Sequence, residues 1–98
     1  DLRQKTVGIL GMAFKAESDD IRESLSYKLK KILEFEVKKV ICSDSYVNDP
    51  SFISAEELIT YSDIIIIGVP HNSYKNLDYQ DRLVYDVWNA TLAHNKIY

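Results

Sequence analysis

Apolar and polar residues alternate along the chain in two rhythms. Short apolar runs rich in β-branched residues occur at residues 6–10 (TVGIL), 37–42 (VKKVIC), 64–69 (IIIIGV) and 83–87 (LVYDV), and each predicts a strand. The run at 64–69 shows no alternation, which predicts a strand covered on both faces. Ile21, Leu25, Leu29, Ile32 and Leu33 recur instead at helical spacing, so a helix is expected to begin near Ile21 with these residues on one face. Asp20 followed by Glu23 resembles a capping box for that helix. Ser54 ahead of Ala55, Glu56, Glu57, Leu58 and Ile59 predicts an N-cap and a short second helix. Residues 45–52, with Asn48, Asp49 and Pro50, and the polar stretch 71–82 after Pro70 read as loops. Lys96, Ile97 and Tyr98 suggest a last edge strand.

Strands and helices in this alternation predict an α/β fold. The expected form is a doubly wound, mostly parallel, Rossmann-like sheet flanked by helices in a single domain. Ligands of such sheets sit beyond the carboxyl ends of the strands. The loop after Leu10, Asp44, His71 and Trp88 should therefore meet at one edge. The first turn does not carry the dinucleotide spacing G-x-G-x-x-G, since Gly8 and Gly11 are followed by Met12, Ala13 and Phe14. Asp44 also lies further on than the ~20 residues that separate that turn from a ribose-binding acid.

Composition narrows the function classes. The 98 residues suffice for one domain, and 46% hydrophobic with 28% charged content is that of an ordinary globular protein. A formal net charge of −3 provides no basic field for nucleic acid or an anionic membrane surface. No apolar run approaches the ~20 residues of a membrane-spanning helix. Cys42 is the sole cysteine, which excludes an internal disulfide and points to a reducing, cytoplasmic setting. The chain opens on Asp1 rather than Met, so a domain of a longer polypeptide is expected.

The stretch 6–24 carries the candidate chemistry. A strand, a loop and a helix start in succession form an anion site, because free backbone N–H groups and the helix dipole favour phosphate there. Lys15 and Arg22 bracket the loop and add charge-assisted hydrogen bonds. Asp19 and Asp20 form a carboxylate pair, but the capping role of Asp20 and the neighbouring Arg22 keep them ionised and set acid–base catalysis aside. No catalytic residue is assigned. His71 and His94 have no ligand spacing, so no metal site is expected; His71 is expected to bond backbone near the cleft. Cys42 reads as a buried small hydrophobe. Tyr27, Tyr46 and Tyr74 are expected to bridge core and surface.

The motif GMAFKAESDDIRES at residues 11–24 resembles the G-x-A-F-K-x-x-x-D-D-x-R-x-S signature of the C-terminal domain of the UDP-glucose/GDP-mannose dehydrogenases. Asp44 in SDSYV, PHNSYKNLD at 70–78 and VYDVWN at 84–89 fit the same family, and the similarity spans nearly the whole chain. The resemblance implies an enzyme that oxidises the C6 alcohol of a nucleotide sugar to a carboxylate for polysaccharide precursors, reducing NAD. In that family an N-terminal domain binds NAD, central helices form a homodimer, and the catalytic cysteine lies outside the region matched here. Residues 1–98 would be the C-terminal nucleotide-sugar-binding domain, inactive alone. By this resemblance Phe14, Lys15, Ala16, Glu17, Ser18, Asp19, Asp20 and Ile21 contact the UDP-sugar, and Arg22 reaches NAD. Trp88 stands where several UDP-glucose dehydrogenases carry a substrate-contacting arginine, which favours an N-acetylated UDP-hexosamine over UDP-glucose. Ser45 and Leu25 replace prolines that are frequent in the family.

Two other classes stay open on the residues alone. One is a free-standing nucleotide-binding or regulatory module without catalysis. The other is a docking domain, which would ignore nucleotides and expose an apolar patch.

Overall fold

The computed structural model describes residues 1–97. Five strands form one sheet: β1 (Thr6–Leu10), β2 (Lys39–Ser43), β3 (Ile64–Ile67), β4 (Leu83–Tyr85) and β5 (Lys96–Ile97). Two helices, α1 (Leu25–Leu33) and α2 (Ala55–Tyr61), supply the crossovers from β1 to β2 and from β2 to β3. The sheet order is β2-β1-β3-β4-β5 and every pairing is parallel. β1 is an interior strand, with Gly8 in register with Ile41 on one side and Ile65 on the other. The expected last strand covers Lys96–Ile97; Tyr98 lies outside the described residues.

Successive side chains of a strand point to opposite faces, and two cores follow from that alternation. Leu10, Ile65, Ile67 and Val84 join Leu58 and Ile59 of α2 on one face, while Ile9 and Cys42 join Met12 on the other, covered by Tyr27, Leu29 and Leu33 of α1. α2 can lie close because β1 carries Gly8 there. A Cβ on Gly8 would collide with Leu58 and with Ser62 Oγ.

The second helix is capped as the sequence implies. Ser54 Oγ accepts from the Glu57 amide, and the Glu57 carboxylate accepts from the Ser54 amide. The first helix differs from expectation. It starts at Leu25 with Ser24 as N-cap, four residues beyond Ile21, and Glu23 adopts a left-handed φ of 60° just before it. Asp20 therefore caps nothing in α1. The expected apolar stripe also splits, since Leu25 and Ile32 are exposed while Leu29 and Leu33 face the core. Small residues seat this helix: Ser26 is its one fully buried residue, and a Cβ on Gly68 would strike Ser26 Oγ.

Candidate functional site

The loop 11–24 leaves the end of β1 and is tied to both neighbouring strand ends. Gly11 turns at φ 96°, a conformation that favours glycine, and a Cβ there would press on the backbone of Val69. The Gly11 amide donates to the Ser43 carbonyl at 2.9 Å. One residue on, the buried carboxylate of Asp44 accepts from the amides of Met12 (2.7 Å) and Ala13 (3.1 Å), while its other oxygen takes the Tyr46 amide. At the far end of the loop, Ser24 Oγ donates to the Met12 carbonyl at 2.7 Å. These bonds fix the base of the loop.

Its tip is held from the end of β3. His71, only 1% exposed, accepts the Glu17 amide at Nδ1 (2.8 Å) and bonds Asp44 through Nε2 (3.0 Å). Because Nδ1 is an acceptor, the ring proton belongs on Nε2, where it points at the carboxylate. Glu17 returns the contact: its Oε1 accepts the Asn72 amide at 2.6 Å. Hydrogen bonds from the Tyr46 hydroxyl, first, and the Asn72 amide hold the Glu17 carboxyl below its ordinary value. The same Glu17 bond raises the Tyr46 phenol. The Tyr46 ring packs on the His71 ring, with centroids 4.5 Å apart.

The residues singled out from sequence lie on this loop with distinct surroundings. Phe14, Lys15, Asp19, Ile21 and Arg22 are exposed; Ala16, Ser18 and Asp20 are half-buried. The Phe14 amide donates to the Asp20 carbonyl and closes the loop on itself. Ser18 Oγ accepts the Asp20 amide. Arg22 forks onto Asp20, Nε to Oδ1 at 3.1 Å and Nη2 to Oδ2 at 2.9 Å, and this lowers the Asp20 carboxyl to about 2. Lys15 makes no ion pair among the described residues. The anion site expected at a helix start is not built that way, since residues 14–22 precede α1 altogether.

The four regions expected at one edge do gather there. The loop, Asp44 and His71 bond directly, and a groove of about 420 Å³ places His71 beside Lys75 and the exposed Trp88. Below that groove Asp86 fixes the β4–β5 connection, accepting from the Ala90 and Thr91 amides, Thr91 Oγ1 and Lys96 Nζ. Burial works to raise the Asp86 carboxyl, and those hydrogen bonds bring it below its ordinary value. Tyr46 and Asn72 were not singled out as partners of the loop by sequence, and their only signal was position after β2 and β3. Tyr74 is fully buried rather than bridging core and surface, whereas Tyr46 does bridge. Cys42 is buried, and that burial pushes its thiol up to about 11.

The β1 turn does not fit a dinucleotide. The two amides that would face a pyrophosphate, those of Met12 and Ala13, are already engaged by Asp44. Among the described residues no group of His, Cys, Asp and Glu is placed to hold a metal ion, and no helix is long and apolar enough to cross a membrane.

A parallel sheet in the order β2-β1-β3-β4-β5, with its loops converging at the carboxyl edge, defines a doubly wound, Rossmann-like α/β class of domain. Residues 8–93 match the model of the UDP-glucose/GDP-mannose dehydrogenase family, UDP binding domain. The chain belongs to that family and is its UDP binding domain. Over 79 residues it is 39% identical to the UDP-N-acetyl-D-mannosamine dehydrogenase of Methanocaldococcus jannaschii, covering 76% of this chain and 18% of the relative. The enzyme of the same name from Pyrococcus horikoshii is 31% identical over 74 residues, with the same coverage. Among solved structures, the UDP-N-acetyl-mannosamine dehydrogenase of Staphylococcus aureus superposes with a TM-score of 0.80 at 22% identity, covering 99% of this chain and 26% of that one. The chain thus spans about a fifth of the curated relatives it matches.

Proposed function

We propose that this chain binds the nucleotide part of a UDP-sugar within an NAD-dependent nucleotide-sugar 6-dehydrogenase, as the C-terminal domain of a longer cytoplasmic polypeptide. The observation that carries the reading is the loop 14–21, fixed at base and tip over the carboxyl ends of β1 and β3, with the Lys15 ammonium unpaired among the described residues. Lys15 meets the phosphates and Phe14 packs against the sugar or base, with residues 16–21 shaping the wall. Since the Met12 and Ala13 amides serve Asp44, side-chain charge rather than the turn's backbone holds the anion. NAD belongs to the part of the enzyme outside this chain, with Arg22 its one contact here; taking the C6 alcohol to a carboxylate is a four-electron oxidation, for which two NAD would each accept one hydride and water would supply the added oxygen. The relatives' identity, together with Trp88 in the groove beside His71, favours a UDP-N-acetylhexosamine, and the homodimer forms through segments outside this chain.

An amide-resolved NMR titration of the chain with UDP, GDP and inorganic phosphate tests the binding reading. Shifts centred on residues 14–22 and near Trp88, larger for UDP than for GDP or phosphate, are expected. Shifts confined to other surfaces, or none, overturn it. For the whole polypeptide, NAD reduction driven by UDP-N-acetylmannosamine is the expected activity.

A further inference from the structure

We infer that His71 and Glu17 act as positioning residues, a reciprocal clasp that sets the loop carrying Phe14 and Lys15 in its ligand-binding shape. The inference rests on the binding reading above and names the device that controls it. Each member of the clasp holds the other's backbone: the imidazole of His71 accepts the amide of Glu17, and the carboxylate of Glu17 accepts the amide of Asn72, the residue after His71. Two loops separated by more than fifty residues in sequence are thereby closed on each other.

The tip needs such a hold because its backbone does not prefer this shape. Glu17 sits at φ 55° and Glu23 at φ 60°, left-handed conformations that residues other than glycine adopt only at an energetic cost. Beyond the clasp, the Tyr46 hydroxyl bond to the Glu17 carboxylate is the tip's other tie to a strand end, whereas the Phe14–Asp20 backbone bond, the Ser18–Asp20 contact and the Asp20–Arg22 fork all lie within the loop. Released at Glu17, the backbone relaxes to an extended or right-handed conformation and carries Lys15, two residues away, off its position.

The imidazole is placed with equal care. It is buried, packed between the rings of Tyr46 and Tyr74, and its Nε2 is fixed on Asp44, the same carboxylate that holds the loop base. Base and tip therefore share one anchor, and the groups facing the ring are Asp44, Glu17, Tyr46 and Tyr74. The two ring nitrogens do separate jobs, and substitution separates them. In His71→Asn the carboxamide oxygen stands near the place of Nδ1, so it keeps an acceptor for the Glu17 amide and loses the bond to Asp44. In His71→Gln the carboxamide nitrogen reaches the place of Nε2, so it keeps Asp44 and loses the acceptor.

The experiment is a UDP titration of the wild-type chain and both variants by NMR, with thermal melting of each and hydrogen exchange of the wild-type Glu17 amide. The clasp predicts a protected Glu17 amide and UDP binding in His71→Gln weaker than in His71→Asn by about fivefold or more, the effect of one lost hydrogen bond. A role in stability alone makes binding follow the melting temperatures; both variants equally weakened, or neither, overturns the clasp. Fast exchange at Glu17 in the wild type also overturns it, even where a variant fails to fold. A wild-type chain that does not respond to UDP sinks the binding reading itself, and the clasp with it.

Discussion

Asp44 and His71 meet at 3.0 Å although the strands that deliver them, β2 and β3, are not neighbours. Their bond passes over the carboxyl end of β1, which lies between them, and the Asp44 carboxylate meanwhile holds Met12 and Ala13 near the start of the loop that leaves β1. Three strand ends converge on one buried carboxylate. Replacing it with Asp44→Ala leaves the Met12, Ala13 and Tyr46 amides and the His71 ring N–H without their acceptor. Such losses cost about 1–3 kcal/mol for each buried group that water cannot reach. A drop of about 3 kcal/mol or more is expected in urea denaturation, a large part of the 5–15 kcal/mol typical of a domain.

The Asp20–Arg22 fork predicts a pH response at the surface of the loop. Hydrogen bonds from the Arg22 side chain and amide, with its charge, lower the Asp20 carboxyl from 3.8 to about 2. A depressed folded-state value means that the pair's contribution is fully present above about pH 3.8 and is lost as pH falls through about 2. Carboxyl-detected NMR should find Asp20 titrating at about 2 in the wild type and returning toward 3.8 in Arg22→Ala.

Gly11→Ala tests the turn that launches the loop. The substitution must adopt a φ of 96° and set its Cβ 2.7 Å from the Val69 amide nitrogen, which is backbone and cannot swing away. Overpacking and the left-handed backbone together are expected to cost about 2–4 kcal/mol. For a domain of this size that lowers the melting temperature by roughly 10–25 °C.

Cys42 should be chemically silent. With its thiol raised to about 11 by burial, the reactive thiolate is scarce at neutral pH. Iodoacetamide at pH 7.5 is expected to label the unfolded chain quickly and the native chain hardly at all; equal rates would remove the argument from burial.

Much of this architecture is visible in the order of residues, because its causes are local. The Ile64–Ile67 run is the expected strand, although only Ile65 and Ile67 are fully buried while Ile64 and Ile66 on the other face are half-buried, and Ser54 with Glu57 forms the capping box that a three-residue spacing announces. Topology also placed the β1 loop, Asp44, His71 and Trp88 at one edge. The start of α1 was not legible. Ile21 fits the helical rhythm of Leu25 and Leu29, but the Asp20 carboxylate turns to the Arg22 amide and guanidinium, Glu23 is left-handed, and Ser24 Oγ reaches back to Met12. Those contacts are decided by the folded loop, which periodicity does not encode. The pairing of Glu17 with His71 was hidden for the same reason, since it joins residues brought near only by the parallel sheet.

The inward-turned carboxylate at the end of β2 has a meaning for redesign. In dinucleotide-binding relatives of this sheet type, the acid at that place reaches out to a ribose and the first turn leaves its amides to a pyrophosphate. Asp44 does the reverse: it supplies the chain's own anion to that turn and seals it from within. Grafting a G-x-G-x-x-G sequence onto residues 8–13 would thus restore the glycines without vacating the seat. Cofactor affinity would emerge only in a design that also moved this resident charge, and in doing so untied the loop above it.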